Sequence, residues 1–365
     1  MRIAQVAPLF ESVPPKTYGG TERVVSWLTE ELVRLGHDVT LFASGDSMTT
    51  AQLVPSCPES LRLATGSVDF MAHHYVMLEK LLHRKNEFDL IHFHIDYLHF
   101  PISIRERYAH VTTLHGRLDI PDLVPLYATY PDMPVVSISD AQRDPLPHLN
   151  WQGTVHHGFP PDAYKPSTKP GKYLAFLGRT SPEKGLDRAI DIANKSGMTL
   201  KIAAKIDKVD QEYFDTCIKP LLNSSNIEFL GEIGYPEKNK FLADAAALIF
   251  PIAWPEPFGI VMIEALACGT PVVAYPFGSV PEVIQDGVNG YLVSDVESAV
   301  HAVQESRNLD RRKVRKSFEQ RFTASRMTQD YLKIYNRLLS RKKAPLTVAD
   351  GVLNWMKLTS PSSTT

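Results

Sequence analysis

Short apolar runs alternate with longer amphipathic stretches along most of this chain. The runs near 2–7, 38–43, 89–94, 111–115, 135–139 and 154–156 are predicted as strands, each short and bounded by turn-forming residues. Between the first two lies a predicted helix. Its apolar positions Val24, Leu28 and Leu32 recur every four residues and so share one face, with Thr21 as the expected N-cap and Gly36 as the stop. Strand and helix in alternation predict a parallel sheet covered on both sides. A proline-rich linker follows near 158–171, containing Pro160, Pro161, Pro166 and Pro170. The pattern then restarts, with strands expected near 173–177, 200–203, 227–230, 247–250, 271–274 and 291–293. The predicted fold class is therefore α/β, with two doubly wound halves at 1–160 and 171–320. Ligands of such sheets sit at the carboxyl ends of the strands, and two such edges can face each other across a cleft. A last helix is expected at about 321–340, and 344–365 reads as a loosely ordered tail.

Composition narrows the class. A length of 365 residues with 44% hydrophobic positions fits two domains with separate cores. A formal net charge of -2 gives no signal for nucleic acid. Cys57, Cys217 and Cys268 form no CxxC pair, which fits a reducing compartment and offers no zinc site. The N-terminal apolar run is too short for a signal peptide and no run is long enough to span a bilayer, so a cytoplasmic location is expected. Charge is uneven. Residues 1–160 hold 12 Lys+Arg against 18 Asp+Glu, whereas 307–343 hold 13 against 3. The preferred reading of the basic run is a pair of solvated helices. The sharper one is peripheral contact with an anionic inner membrane face or an anionic acceptor.

The most informative stretch is 254–283. Glu256 and Glu264 are separated by seven residues across a loop, marked by Pro257 and Gly259, that leads into a helix expected from Ile260 to Cys268. The free N–H groups around Phe258, Gly259 and Ile260 then form a site suited to phosphate. Glu264 has no amine nearby in sequence, so sugar hydroxyls are plausible partners; its neighbours Ile263, Ala265, Leu266 and Ala267 argue against an ordinary exposed carboxylate. Arg179 and Lys184 follow the first strand of the second half, where cations can stabilise charge growing on a departing diphosphate. Gly19 and Gly20 follow the first strand of the chain, just before a helix N-terminus, and allow close backbone approach to phosphate or sugar. Glu22 could simply favour the helix dipole. His92, His94 and Asp96 share one face of a strand and could hold a metal, but a polar strand end lining a cleft is preferred. Arg143 is a candidate for an anionic group of the acceptor, and Glu282 reads as a weaker site candidate or a solvent-facing carboxylate. No Asp-x-Asp pair for a metal-bound diphosphate occurs in the chain.

The Glu256-x7-Glu264 segment, with Tyr18-Gly-Gly-Thr-Glu22, Thr113-Leu-His-Gly116, Phe176-Leu-Gly-Arg-Thr-Ser-Pro-Glu-Lys-Gly185 and Gly278-Ser-Val-Pro-Glu282, resembles retaining glycosyltransferases of family 4 over about 1–340. The resemblance implies the GT-B fold: two Rossmann-like domains, with the last helix crossing back onto the first. It implies transfer of a hexose from a UDP- or GDP-linked donor to the hydroxyl of a glycan, lipid or small-molecule acceptor, with no cofactor and no divalent metal. By the same resemblance Glu256 contacts hydroxyls of the donor sugar, Glu264 the ribose, Gly19 and Gly20 the donor, and His115 the donor sugar. Asp96 falls on the acceptor side. Base recognition is expected near Gly231 to Tyr235, and 44–71 could shape the acceptor site. Rival readings are a sugar phosphorylase or epimerase on the same architecture, or a non-catalytic module that binds sugar nucleotides.

Overall fold

A computed structural model describes residues 1–343 except 17–18, 65, 67–68, 107 and 170. Tyr18 of the glycine motif, Pro170 of the linker and the expected tail at 344–365 lie outside the described residues. The first half contains β1 (Arg2–Val6), β2 (Asp38–Ala43), β3 (Gln52–Pro55), β4 (Leu90–Phe93), β5 (His110–Thr113), β6 (Val135–Ser137) and β7 (Trp151–Thr154). They form one sheet in the order β3-β2-β1-β4-β5-β6-β7. The second half contains β8 (Tyr173–Arg179), β9 (Leu200–Lys205), β10 (Ile227–Gly231), β11 (Ala245–Phe250), β12 (Val272–Ala274) and β13 (Gly290–Leu292), ordered β10-β9-β8-β11-β12-β13. Neighbouring strands pair in parallel.

Successive side chains of a strand point to opposite faces, so a central parallel strand is apolar on both faces at most positions. β1 shows this directly. Ile3 packs with Val24, Leu28 and Leu32 of the helix Gly20–Arg34. Ala4 and Val6 pack on the other face with Met77, Leu78 and Leu81 of the helix Phe70–Arg84. Strand order reverses between β1 and β4 in one sheet and between β8 and β11 in the other. At such a reversal the flanking connections leave in opposite directions and open a crevice at the carboxyl ends.

Several local expectations change. The first helix begins at Gly20, with Gly19 rather than Thr21 at its N-cap. Gly19 has φ 152°, and a Cβ there would stand 2.7 Å from Pro15 Cβ. The last strand of the first half starts at Trp151, three residues before the expected 154. The stretch 44–71, for which no element was predicted, contains β3 and the start of the helix Phe70–Arg84.

The basic run is less solvated than its expected reading. It folds into the helices Arg311–Arg321 and Ala324–Lys343. Met327, Tyr331, Ile334 and Tyr335 of the second helix fill the first half's core beside Ile3, Leu28 and Val111. Five arginines of the run donate from their guanidinium groups to backbone carbonyls, and all but the exposed Arg337 are at least half-buried. Arg311 donates to the carbonyls of Ser167, Ala243 and Ala245, each at 2.8 Å, and to Thr270 Oγ1 at 2.6 Å. Arg315 takes the carbonyls of Pro161, Tyr164 and Ala267, and Arg321 those of Glu282 and Val283. Arg326 takes His156 and His157, and Arg337 takes Gln152. A planar group with five donors suits carbonyls that converge from several elements. These arginines therefore staple the linker and the final helices to both sheets, and only part of the run's charge faces solvent.

Candidate active site

A cavity of about 910 Å³ lies between the carboxyl edges of the two sheets. It is lined from the first half by Gly19, Gly20, His94, Asp96, His115 and Arg117, and from the second by Arg179, Lys184, Lys238, Glu256, Gly259 and Glu264. Every donor-side residue singled out in the sequence thus reaches one cleft. The halves approach closely there, since a Cβ on Gly20 would stand 3.5 Å from Ile260 Cδ1.

The cationic edge comes from β8 and the turn after it. Arg179 ends β8 and reaches Glu183 at 2.9 Å, Asp207 at 3.5 Å and Asp210 at 3.8 Å. Lys184 closes the turn Pro182–Lys184, with its Nζ 2.5 Å from Glu256 Oε2 and 4.6 Å from the Trp254 ring centre. The Arg117 guanidinium lies 5.6 Å from the same indole, so Trp254 has cations from both halves near it. The next residue, Gly185, has φ 71°, and a Cβ there would stand 2.2 Å from the Pro251 carbonyl oxygen. Only glycine lets the chain turn here and keep Lys184 at the cleft.

Glu256 is held from behind. Gly278 has φ 58°, and a Cβ on it would fall 2.4 Å from the backbone N and O of Glu256. Ser279 donates its N–H to the Glu256 carbonyl and its hydroxyl to the Phe258 carbonyl, both at 2.9 Å. The segment from Gly278 therefore acts as a brace for the loop that carries Glu256. Gly259 caps the helix Ile260–Ala267, whose first turn faces the cavity. The Phe258 ring is buried in the core, so only its backbone is placed for a ligand.

Glu264 is 3% exposed, in keeping with its apolar sequence neighbours, and its partners come from distant parts of the sequence. Tyr164 donates its hydroxyl to Oε1 at 2.7 Å and Lys238 donates Nζ at 3.0 Å. Lys238, Tyr164 and Trp254 carry no local sequence signal of this role, because each acts through contacts between elements. Glu282 is also more than a surface carboxylate. It accepts the N–H groups of Asp140 at 2.8 Å and Ala141 at 2.9 Å and contacts His156 Nε2 at 2.8 Å, tying the second half to the first. The bond to His156 and those two N–H groups more than offset burial and hold its carboxyl below the usual range. Arg143, the candidate for an anionic group of the acceptor, is engaged within the first half. It donates to Ser137 Oγ at 2.7 Å and Thr154 Oγ1 at 2.5 Å, stacks 5.3 Å from the Trp151 ring, and does not line the cavity.

On the first half His115 lines the cavity beside Asp96, and its ring stacks on that of His157, 5.4 Å between centres. Burial pushes the His115 pKa down to about 3, so the ring is neutral at physiological pH. His92 lies deeper, bonded to Tyr335 and Thr113, and among the described residues no group of three or more His, Cys, Asp or Glu is arranged to hold a metal. Asp96 has φ 48°, the one positive value among described non-glycine residues, a strained setting of the kind found at functional positions. Burial raises its pKa to about 6, although the His115 backbone N–H bonds its carboxylate. The folded state thus binds this proton more tightly than an unfolded chain titrating near 3.8, and the native state loses stability as pH rises from about 4 through 6. Asp96→Asn carries no charge to bury. It is expected to be more stable than the parent by about 1–2 kcal/mol at neutral pH. The gain disappears below about pH 4, as melting curves across pH will show; a constant gain at all pH values contradicts the assignment.

The description "Glycosyltransferase Family 4" matches residues 18–138, and "Glycosyl transferases group 1" matches 163–321, so the two together cover both walls of the cleft. The chain belongs to the group 1 glycosyltransferases. Its two sheets are the two Rossmann-like domains of the GT-B fold. It is similar to a glycosyltransferase of Methanocaldococcus jannaschii, 24% identical over 337 residues that cover 80% of this chain and 85% of that protein. It is also similar to D-inositol 3-phosphate glycosyltransferase of Mycolicibacterium smegmatis, 31% identical over 195 residues, 48% of this chain and 43% of that protein. In that alignment and others the chain spans less than half of the relative's length. Among solved structures, HepE of Anabaena in complex with UDP and glucose superposes with a TM-score of 0.71 at 18% identity, covering 92% of this chain and all of that one. Among the described residues no helix is long and apolar enough to cross a membrane.

Proposed function

We propose that this glycosyltransferase moves a hexose from a nucleoside diphosphate sugar to an acceptor hydroxyl with retention at the anomeric carbon and without a divalent metal. The observation that carries the reading is the convergence of Arg179, Lys184, Glu256 and Glu264 on one cavity opposite Gly19 and Gly20. The diphosphate lies between the Arg179 and Lys184 side chains, the N–H groups at the start of the helix Ile260–Ala267, and the backbone of Gly19 and Gly20. Glu264 accepts the ribose hydroxyls, and Glu256 those of the sugar. In the reaction the bond from the anomeric carbon to the β-phosphate oxygen breaks and a bond to the acceptor oxygen forms on the same face. The acceptor proton passes to the departing phosphate oxygen. Charge grows on the diphosphate as that bond breaks, so fixed cations stabilise the transition state more than the bound donor. Asp96 faces the acceptor side.

UDP is favoured among the donors, because the GT-B neighbour HepE binds UDP and glucose. The test is melting temperature with UDP, GDP, ADP and TDP at matched excess, with and without magnesium. A ligand present at a hundred times its Kd that binds only the folded state adds roughly 2.7 kcal/mol of stability. One nucleotide is expected to raise the melting temperature by several degrees whether or not magnesium is present. A shift that needs magnesium contradicts the metal-free site, and no shift with any of the four contradicts the donor site.

A further inference from the structure

A buried line of polar groups connects the C-terminal helix to the cavity. Gln5 and His94 are 0% and 2% exposed, and Tyr335 is fully buried. Gln5 Nε2 donates to the Tyr335 hydroxyl at 3.4 Å, and Gln5 Oε1 lies 2.8 Å from His94 Nε2. His94 Nδ1 lies 2.9 Å from His115 Nε2. The remaining ring nitrogen, His115 Nδ1, is buried and has no hydrogen-bond partner among the described residues, on a side chain that lines the cavity.

Donor and acceptor roles propagate along this line. A carboxamide oxygen only accepts, so His94 Nε2 carries the hydrogen. A neutral imidazole has one N–H, and burial holds both His94 and His115 neutral. His94 Nδ1 is therefore a lone pair and must accept from His115 Nε2–H, which leaves His115 Nδ1 as a second lone pair. The other branch fits the same orientation of Gln5. With Gln5 N–H on its oxygen, Tyr335 donates its hydroxyl to His92 Nδ1 at 2.7 Å, and His92 Nε2–H donates to Thr113 Oγ1 at 2.8 Å. Turning the Gln5 amide over would reverse both histidines and place a buried N–H without an acceptor at His115 Nδ1; either orientation leaves that one atom for a ligand to satisfy, and an orphaned N–H is the rarer of the two in folded proteins.

We infer that Gln5 and His94 are positioning residues that fix His115 as a hydrogen-bond acceptor in the cleft, so the ligand group seated on it is a donor: a hydroxyl or protonated amine, not a carboxylate or carbonyl. That this group belongs to the donor sugar rests on the proposed function; the tautomer itself does not. Nitrogen NMR of 15N-histidine-labelled protein at neutral pH, with no ligand added, reads the tautomer directly, and a His115→Gln spectrum assigns the signal. The expected result is a protonated Nε2 and a bare Nδ1 on His115. Gln5→Met removes the acceptor that orients His94 and should lower the ratio of the two His115 tautomers about five- to ten-fold. His94→Leu, made in parallel, should do the same. A packing role for Gln5 would change stability and leave the tautomer alone. A protonated Nδ1 on His115 in the parent protein overturns the inference, as does a tautomer ratio unmoved in a folded variant. Failure of sugar transfer would leave this readout intact, so the two claims fail separately.

Discussion

Replacing Lys184 by alanine lowers kcat by roughly 10²–10³-fold while changing the KM for the sugar nucleotide much less. The ammonium sits 2.5 Å from Glu256 and over the face of Trp254, at the edge of the cavity where a diphosphate would gain charge. An ammonium fixed there before reaction need not reorganise as the bond to the phosphate oxygen breaks, so its contribution falls mainly on the transition state. Lys184→Arg is expected to recover little, because a planar fork does not fit the point contact that Glu256 and Trp254 enclose. Steady-state rates over a range of donor concentrations separate the two parameters. A loss confined to KM would make Lys184 a binding group with no special role in the transition state.

The largest structural effect is expected at Arg311. Alanine there removes all donors to the carbonyls of Ser167, Ala243 and Ala245 and to Thr270 Oγ1 at once. Breaking a buried charge-assisted network costs about 3–5 kcal/mol. Burial already lowers the Arg311 pKa somewhat, as expected for a guanidinium removed from water. The neighbouring Arg312 is exposed, and its alanine variant should stay within about 0.5 kcal/mol of the parent. Urea unfolding of the two variants side by side is the check. Equal midpoints would mean that the basic run is the solvated surface its composition suggests and that the stapling role is wrong.

That contrast shows where the sequence was readable. A strand buried on both faces is a short apolar run, so β1, β4 and β11 stood out. β3 did not, because Gln52–Pro55 is a half-exposed edge strand. Arg179, Lys184, Glu256 and Glu264 were legible because they fall in two contiguous motifs, each at a connection from a strand to a helix. Their supports were not. Lys238 meets Glu264 from 26 residues away, Tyr164 from 100, and Gln5 meets His94 from 89. Sequence distance hides such contacts, and side-chain direction decides them. The bonds of Arg143 to Ser137 Oγ and Thr154 Oγ1 were hidden in the same way. Charge counting erred over 307–343 because it records that an arginine is present and not which carbonyls it meets.

The central claim is that this cleft expels a nucleoside diphosphate using its own cations. The most direct test is release of nucleoside diphosphate from UDP-, GDP- and ADP-glucose, supplied with a panel of sugar acceptors and EDTA, for the parent protein and for Lys184→Ala. The account predicts release from one donor in the presence of EDTA, and its near-complete loss in the variant. Release that EDTA abolishes, or that proceeds equally well without Lys184, would contradict it.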